Sequence, residues 1–293
     1  MKDTSASVRF PAVAGMFYPA DPQACRRQAQ GYLEGRAVPV EKRLLGGLVP
    51  HAGWVCSAAI AGQTIATLAQ QGPVDVVVVF GAIHTPLPVR FGALDSFQRW
   101  SVPGGESPVS EVRRKLQEKG NLFAVDDRLH VREHAVEVEV PLIQLAWPGA
   151  SILPIEIPPI EDAELMGRKT AQTLLQAGLK AVYLASADLT HYGANYRFMP
   201  VGVGPAAMQW TKDNDRRLLD LIEKLEAGRV IAESREHYNT CGAGAIAALI
   251  GACRELGASD GRVLAHATSY ETLASIQPQP PTQAVGYAGL VVG

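Results

Sequence analysis

Three uninterrupted apolar runs constrain this chain more than any other feature. Leu44-Leu45-Gly46-Gly47-Leu48-Val49, Val74-Asp75-Val76-Val77-Val78-Val79-Phe80 and Ala181-Val182-Tyr183-Leu184-Ala185 each lead directly into a turn that carries a polar, chemically capable side chain. A strand with one wet face alternates apolar and polar residues. Continuous, β-branched runs of this length instead suit strands buried on both faces, as in a largely parallel sheet covered by helices. The fold class read from them is therefore α/β, and in open α/β sheets ligands gather beyond the carboxyl ends of the strands.

Helical patterns fall between the runs, over residues 58–70, 109–119, 161–177, 206–227 and 242–256. A sixth, 23–34, follows Asp21-Pro22, which reads as an N-cap with proline at the first helical position. Residues 284–292 read as a closing strand, and 133–147 is ambiguous: Val136-Glu137-Val138-Glu139-Val140 alternates like a strand, while Val138, Leu142 and Leu145 share a helical face. There is no repeat and no convincing linker, only the proline-rich stretch Gln277-Pro278-Gln279-Pro280-Pro281, so the 293 residues are expected to form a single domain.

Composition removes several function classes. With 27 basic against 29 acidic residues and no long charge runs, the chain offers nothing attractive to nucleic acid or anionic lipid. Met1 to Phe10 lacks a continuous apolar stretch, and no run approaches the ~20 residues of a membrane-spanning helix, so a cytoplasmic location is expected. Cys25, Cys56, Cys241 and Cys253 form no C-x-x-C pair, which argues against a disulfide framework or a zinc ribbon.

The residues with chemical potential sit at the element ends. His51, in Pro50-His51-Ala52-Gly53-Trp54, and His84, in Gly81-Ala82-Ile83-His84, repeat one arrangement at two strand ends. Together they are a better candidate for metal ligation than either alone, since a histidine in a turn is more often a hydrogen-bonding residue. Asp188 and His191 follow the third strand three residues apart, a spacing at which the carboxylate can orient the imidazole for acid/base work; the plainer reading makes Asp188 an N-cap. Cys241 precedes a small-residue helix, whose amino terminus is expected to lower its thiol pKa and suit it as nucleophile or ligand; Cys25, Cys56 and Cys253 read as packing residues. Glu133-His134 reads as a supporting pair donating hydrogen bonds to ligands, or as a capped helix start.

Six ordered segments, Ala12-Val13-Ala14-Gly15-Met16-Phe17-Tyr18-Pro19, Pro50-His51-Ala52-Gly53-Trp54, Gly81-Ala82-Ile83-His84, Glu133-His134 through Pro141, Ser186-Ala187-Asp188-Leu189-Thr190-His191-Tyr192-Gly193 and Cys241-Gly242, resemble the Memo family, also called AmmeMemoRadiSam system protein B. The resemblance implies a three-layer α/β/α fold with a central mixed, largely parallel sheet, shared with the catalytic subunit of class III extradiol ring-cleaving dioxygenases, and it favours helix for 133–147. It also implies that His51 and His84 take the places of the two iron-binding histidines, with Cys241 where the dioxygenases have a carboxylate. Asp188 and His191 would line the same pocket, His191 as the acid/base group. Iron or copper, redox activity and a radical SAM protein partner are further implications.

Two departures matter. Thr85 stands where some relatives carry a second histidine, and a thiolate in place of the carboxylate would alter oxygen reactivity, so ring cleavage does not follow from the resemblance. Three functions stay open at this point: a metal-dependent, dioxygenase-like oxidoreductase; a non-catalytic metal- or ligand-binding component of a multiprotein system; and a Cys241/His191 hydrolase-like enzyme.

Overall fold

The computed structural model describes residues 7–278 and 280–293. Residues 1–6 of the Met1 to Phe10 segment, and Gln279 of the proline-rich stretch, lie outside the described residues. In chain order the elements are β1 (Val8–Arg9), α1 (Pro22–Leu33), β2 (Gly46–Val49), α2 (Trp54–Ala69), β3 (Val76–Gly81), β4 (Gly92–Leu94), β5 (Arg99–Val102), β6 (Gly105–Pro108), α3 (Arg113–Gln117) and β7 (Phe123–Val125). They continue with α4 (Val140–Ala146), β8 (Ser151–Glu156), α5 (Ala163–Gln176), β9 (Ala181–Ser186), β10 (His191–Tyr192), α6 (Pro205–Glu223), α7 (Ala227–His237), α8 (Ala243–Glu255), β11 (Gly261–Thr268), α9 (Ser269–Thr272) and β12 (Ala284–Val292).

Among the described residues the main sheet has nine strands in the order β10-β12-β2-β9-β3-β8-β4-β7, with β11 also paired to β12. The central four, β2-β9-β3-β8, are mutually parallel, and antiparallel partners flank them on both sides. β3 shows why its sequence is continuously apolar. Val76, Val78 and Phe80 enter a core built with α5, α6, α7 and α8, whereas Val77 and Val79 enter a second core built with α1, α2 and α4. A period of two feeding two buried faces makes three layers, α/β/α. A separate small sheet, β1-β5-β6, lies off the main one.

Several boundaries differ from the sequence reading for identifiable reasons. The helix expected over 206–227 ends at Glu223, because Leu225 adopts a left-handed φ of 54° and turns the chain into α7. The helix expected over 109–119 shrinks to α3, since Val109 bridges to Ile152 instead. Within residues 133–147 the helical alternative holds from Glu137 to Ala146, a 3₁₀ turn at Glu137–Glu139 followed by α4. β8 was hidden by its central proline. The N–H groups of Ser151 and Ile157 point to β3, so the intervening Pro154 faces the other side, where β4 reaches β8 only at Glu156 and no ladder bond is lost. Asp21 caps α1 as its sequence suggests, accepting from the Ala24 N–H at 2.7 Å.

Glu137 fixes the amino-terminal arm. Its fully buried carboxylate pairs with Arg9 and accepts from the N–H groups of Ala12 (2.7 Å) and Val13 (2.9 Å) and from the Tyr18 hydroxyl (2.8 Å). Arg9 also stacks over Trp100, 4.3 Å from the ring centroid. Removing one member of a buried ion pair leaves the other uncompensated, at a cost of about 3–5 kcal/mol. Glu137→Ala should therefore lose stability on that scale in urea unfolding; a change below about 1 kcal/mol would mean the arm is held mainly by its apolar contacts.

Close approach marks a second sensitive position. A Cβ at Gly167 of α5 would fall 1.8 Å from the Ala248 carbonyl oxygen of α8, so only glycine lets these helices meet at this depth. Gly167→Ala should destabilise by roughly 1–3 kcal/mol through forced helix displacement, read as a lowered denaturation midpoint.

Candidate metal centre

Parallel register assembles the centre. β2, β9 and β3 are adjacent, and Ser186 lies opposite both Val49 of β2 and Gly81 of β3. His51 is two residues past Val49, Asp188 two past Ser186 and His84 three past Gly81, so three loops leave the sheet at one level and converge.

His51 is buried, and its Nδ1 lies 3.1 Å from the Ser186 hydroxyl oxygen. That hydroxyl donates its own hydrogen to the Ala135 carbonyl at 2.5 Å, so toward His51 it accepts. The network thus assigns the hydrogen to Nδ1 and leaves Nε2 of His51 bare, 3.3 Å from the Cys241 sulfur. His84 is oriented by Glu133, which accepts from its Nδ1–H at 2.8 Å and from its backbone N–H at 2.7 Å, again freeing Nε2. The same carboxylate accepts from the backbone N–H groups of His134 (2.8 Å) and Ala135 (3.1 Å). A histidine whose second nitrogen is fixed by a carboxylate or hydroxyl is the usual form of a metal ligand.

One ring nitrogen from each of His51, His84 and His134 lies within 4.8 Å of the others. The ring centroids are 5.2 Å apart for His51 and His84, 5.2 Å for His51 and His134, and 4.5 Å for the stacked His84 and His134. Phe17, from the amino-terminal arm, meets His134 edge-on at 5.0 Å.

Burial sets the electrostatics. It pulls His51 down to about 3, helped by the nearby His84, and lowers His134 as well, so both present neutral imidazoles. Burial alone would also lower His84, but the hydrogen bond to Glu133 and its charge reverse the direction. Glu133 resists its own burial through those bonds from His84 and stays below the usual carboxylate range.

The remaining residues singled out from sequence are all in the neighbourhood, with altered roles. Asp188 accepts the His51 backbone N–H at 2.8 Å, while the His191 Nδ1 is 3.0 Å from the Leu189 carbonyl. Among the described residues no hydrogen bond joins Asp188 to His191, so the expected orientation of that imidazole comes from the backbone instead. Burial raises Asp188 to about 6. Cys241 is docked by its N–H on the Asp188 carbonyl at 3.2 Å. Its imidazole neighbour is His51 rather than His191, and burial, with Asp188 adding to it, pushes its thiol well above its ordinary value. The lowering expected from the following helix does not prevail. Glu133 bonds to His84, and His134 itself joins the nitrogen cluster.

The centre opens on a cavity of about 380 Å³ lined by His84, His191, Tyr196, Phe198, Tyr238 and Cys241, among others. The aromatic walls and the Ser186 hydroxyl had no role in the sequence reading. Ser186 was within reach, since it ends the third apolar run one residue after Ala185; the walls lie in irregular segments that carry no periodic signal.

A three-layer α/β/α architecture with three imidazoles clustered beyond the carboxyl ends of its central strands defines the class of this protein. Within it the chain belongs to the Memo family: residues 9–291 match the family described as Memo-like protein. A MEMO1 family protein of Pyrococcus horikoshii is 30% identical over 97% of this chain and 99% of its own length, and one of Thermococcus kodakarensis is 31% identical over the same shares. A solved structure of an uncharacterized protein from Escherichia coli K12 shares the fold at 13% identity, with a TM-score of 0.50 over 85% of this chain and all of the other.

Replacing Ser186 by alanine removes the acceptor for the His51 Nδ1–H. Nitrogen NMR should then show His51 leaving its single tautomer for a mixture, with the protein still folded; an unchanged tautomer would take Ser186 out of this role.

Proposed function

We propose that this protein binds one iron or copper ion between His51, His84 and Cys241, with His134 beside them, and supports redox chemistry on a small molecule admitted through the aromatic-walled cavity. The observation that carries this reading is the convergence of three imidazole nitrogens within 4.8 Å. The donor set fits such an ion: neutral imidazoles suit iron and copper, and an adjacent sulfur favours soft, redox-capable metals over magnesium or calcium. When bound, the ion would supply Lewis-acid and electron-transfer chemistry.

The chain's own residues prepare the rest. Ser186 and Glu133 hold two imidazoles with their Nε2 atoms free. His191, with Nδ1 engaged by the Leu189 carbonyl, offers Nε2 to a proton on a molecule in the cavity. Cys241 must give up its thiol proton to ligate, and burial opposes this until a cation is beside it. A second reading, a metal-binding component serving a partner such as a radical SAM protein, is favoured by Tyr196 and Tyr238, which line the cavity yet remain 44% and 66% exposed.

His51→Ala and His84→Ala should each stay folded and lose most affinity for ferrous iron and cupric ion, measured by titration of anaerobically purified protein. Glu133→Ala should weaken it about 10–100-fold, the usual effect of removing a group that orients a ligand. Binding at parental strength in both histidine variants would sink the proposal. Cupric protein should show a thiolate charge-transfer band that vanishes in Cys241→Ser; its persistence would put the sulfur outside the coordination sphere.

A further inference from the structure

Next to Glu133, three polar atoms have no hydrogen-bond partner: Nδ1 of His130 and both carboxyl oxygens of Glu156. Both side chains are fully buried, and Oε1 of Glu156 lies 3.7 Å from Nδ1 of His130. The other nitrogen of His130, Nε2, is 3.1 Å from the Ala93 carbonyl, which can only accept; the hydrogen is therefore on Nε2, and in the neutral ring Nδ1 is a lone pair. A bare nitrogen facing a carboxylate in a dry interior would be two unsatisfied acceptors. One proton between them removes the conflict.

The neighbourhood decides where negative charge resides. Glu133 accepts four hydrogen bonds, two from His84 and one each from the backbones of His134 and Ala135, whereas Glu156 accepts none. Two carboxyl groups sharing one buried region do not both ionise readily. Space for the second is built into the strand that leads to His84, since a Cβ on Gly81 would overlap Oε2 of Glu156.

We infer that Glu156 is a neutral carboxylic acid whose proton is directed at Nδ1 of His130, 3.7 Å away. The charged and titratable groups facing Glu156 are Glu133, Arg9, Asp95 and His130. Arg9 is already committed to Glu137 and to the carbonyls of His130 and Glu133. Burial, reinforced by Glu133, carries Glu156 well above the carboxylate range, and burial brings His130 down to about 4.

The pair belongs to the metal-free chain, so its test is independent of metal binding. Infrared spectra of the full-length apo protein at neutral pH should show carbonyl absorption of protonated carboxylic acids. Glu156→Gln should remove one component, distinct from the one removed by Glu139→Gln at a second fully buried carboxyl. Nitrogen NMR of the parent should show His130 with a bare, hydrogen-bond-accepting Nδ1, perturbed by Glu156→Gln and not by Glu139→Gln. A carboxyl kept neutral when folded but ionised when unfolded loses stability as pH rises above about 4.3, because the unfolded chain then binds fewer protons. The urea midpoint of Glu156→Gln relative to the parent should therefore climb between about pH 5 and about pH 8. Absorption unchanged by Glu156→Gln, a His130 protonated at both nitrogens, or a midpoint difference independent of pH would each overturn the inference.

Discussion

The Glu133 carboxylate is the interaction on which the centre depends. It ties the loop leaving β3, through both the ring and the backbone of His84, to the segment that begins the next helical stretch, through the N–H groups of His134 and Ala135. A buried carboxylate with no donors costs several kcal/mol, and four donors, one of them on an imidazole, offset that cost where it arises. The rest of residues 133–139 repeats the problem with different solutions. Glu137 is answered by Arg9, two backbone N–H groups and a phenol; Glu139 is fully buried near Ser186, and burial, with Asp188 adding to it, keeps it well above the carboxylate range. Three acids on a few turns of chain thus serve as a clamp on His84, a clamp on the amino-terminal arm and a buried core group.

How much of this was legible in the sequence follows from which signals are local. The apolar runs of β2, β3 and β9 declare two-sided burial on their own, and their ends place His51, His84 and Asp188 without knowledge of strand order. That the three strands are neighbours, with Ser186 opposite both Val49 and Gly81, is a matter of topology and appears only in the folded chain. The alternation at 136–140 is that of a strand, and tertiary packing overrides it: Val136, Val138 and Val140 all enter one core while Glu137 turns to Arg9. Pro154 concealed β8 because its harmlessness depends on where β4 stops. His130 and Glu156 were invisible for the same reason, since nothing in sequence shows that two buried acceptors will meet.

Cys241 shows how magnitude decides between two valid principles. A helix amino terminus stabilises an adjacent anion by about 0.3–1 kcal/mol, up to ~2 in favourable geometry. Full burial disfavours a charged group by as much as several pKa units, and each unit is about 1.4 kcal/mol. With Cys241 partly buried at the cavity floor and Asp188 beside it, burial wins and the resting group is a thiol. The neighbouring imidazoles of His51 and His134 are likewise held neutral by burial.

Floor and wall of the cavity are built on different terms. The floor, His84 and Cys241 with His51 behind them, is fixed by strand register and by hydrogen bonds from groups with few alternatives. The wall comes from irregular chain in which Arg197 and Tyr238 hold left-handed φ values of 54° and 51°, a conformation costing an L-residue roughly 1–2 kcal/mol. Such strain persists only where surrounding contacts impose it, and here they are aromatic: Phe198 packs against Tyr238 at 5.5 Å and Trp210 at 5.7 Å, while Tyr196 meets His191 edge-on at 4.9 Å. Changes in these side chains would reshape the cavity while leaving the strands, and so the imidazole cluster, in place. The division keeps the histidine cluster on the sheet while the shape of the cavity is left to the loops.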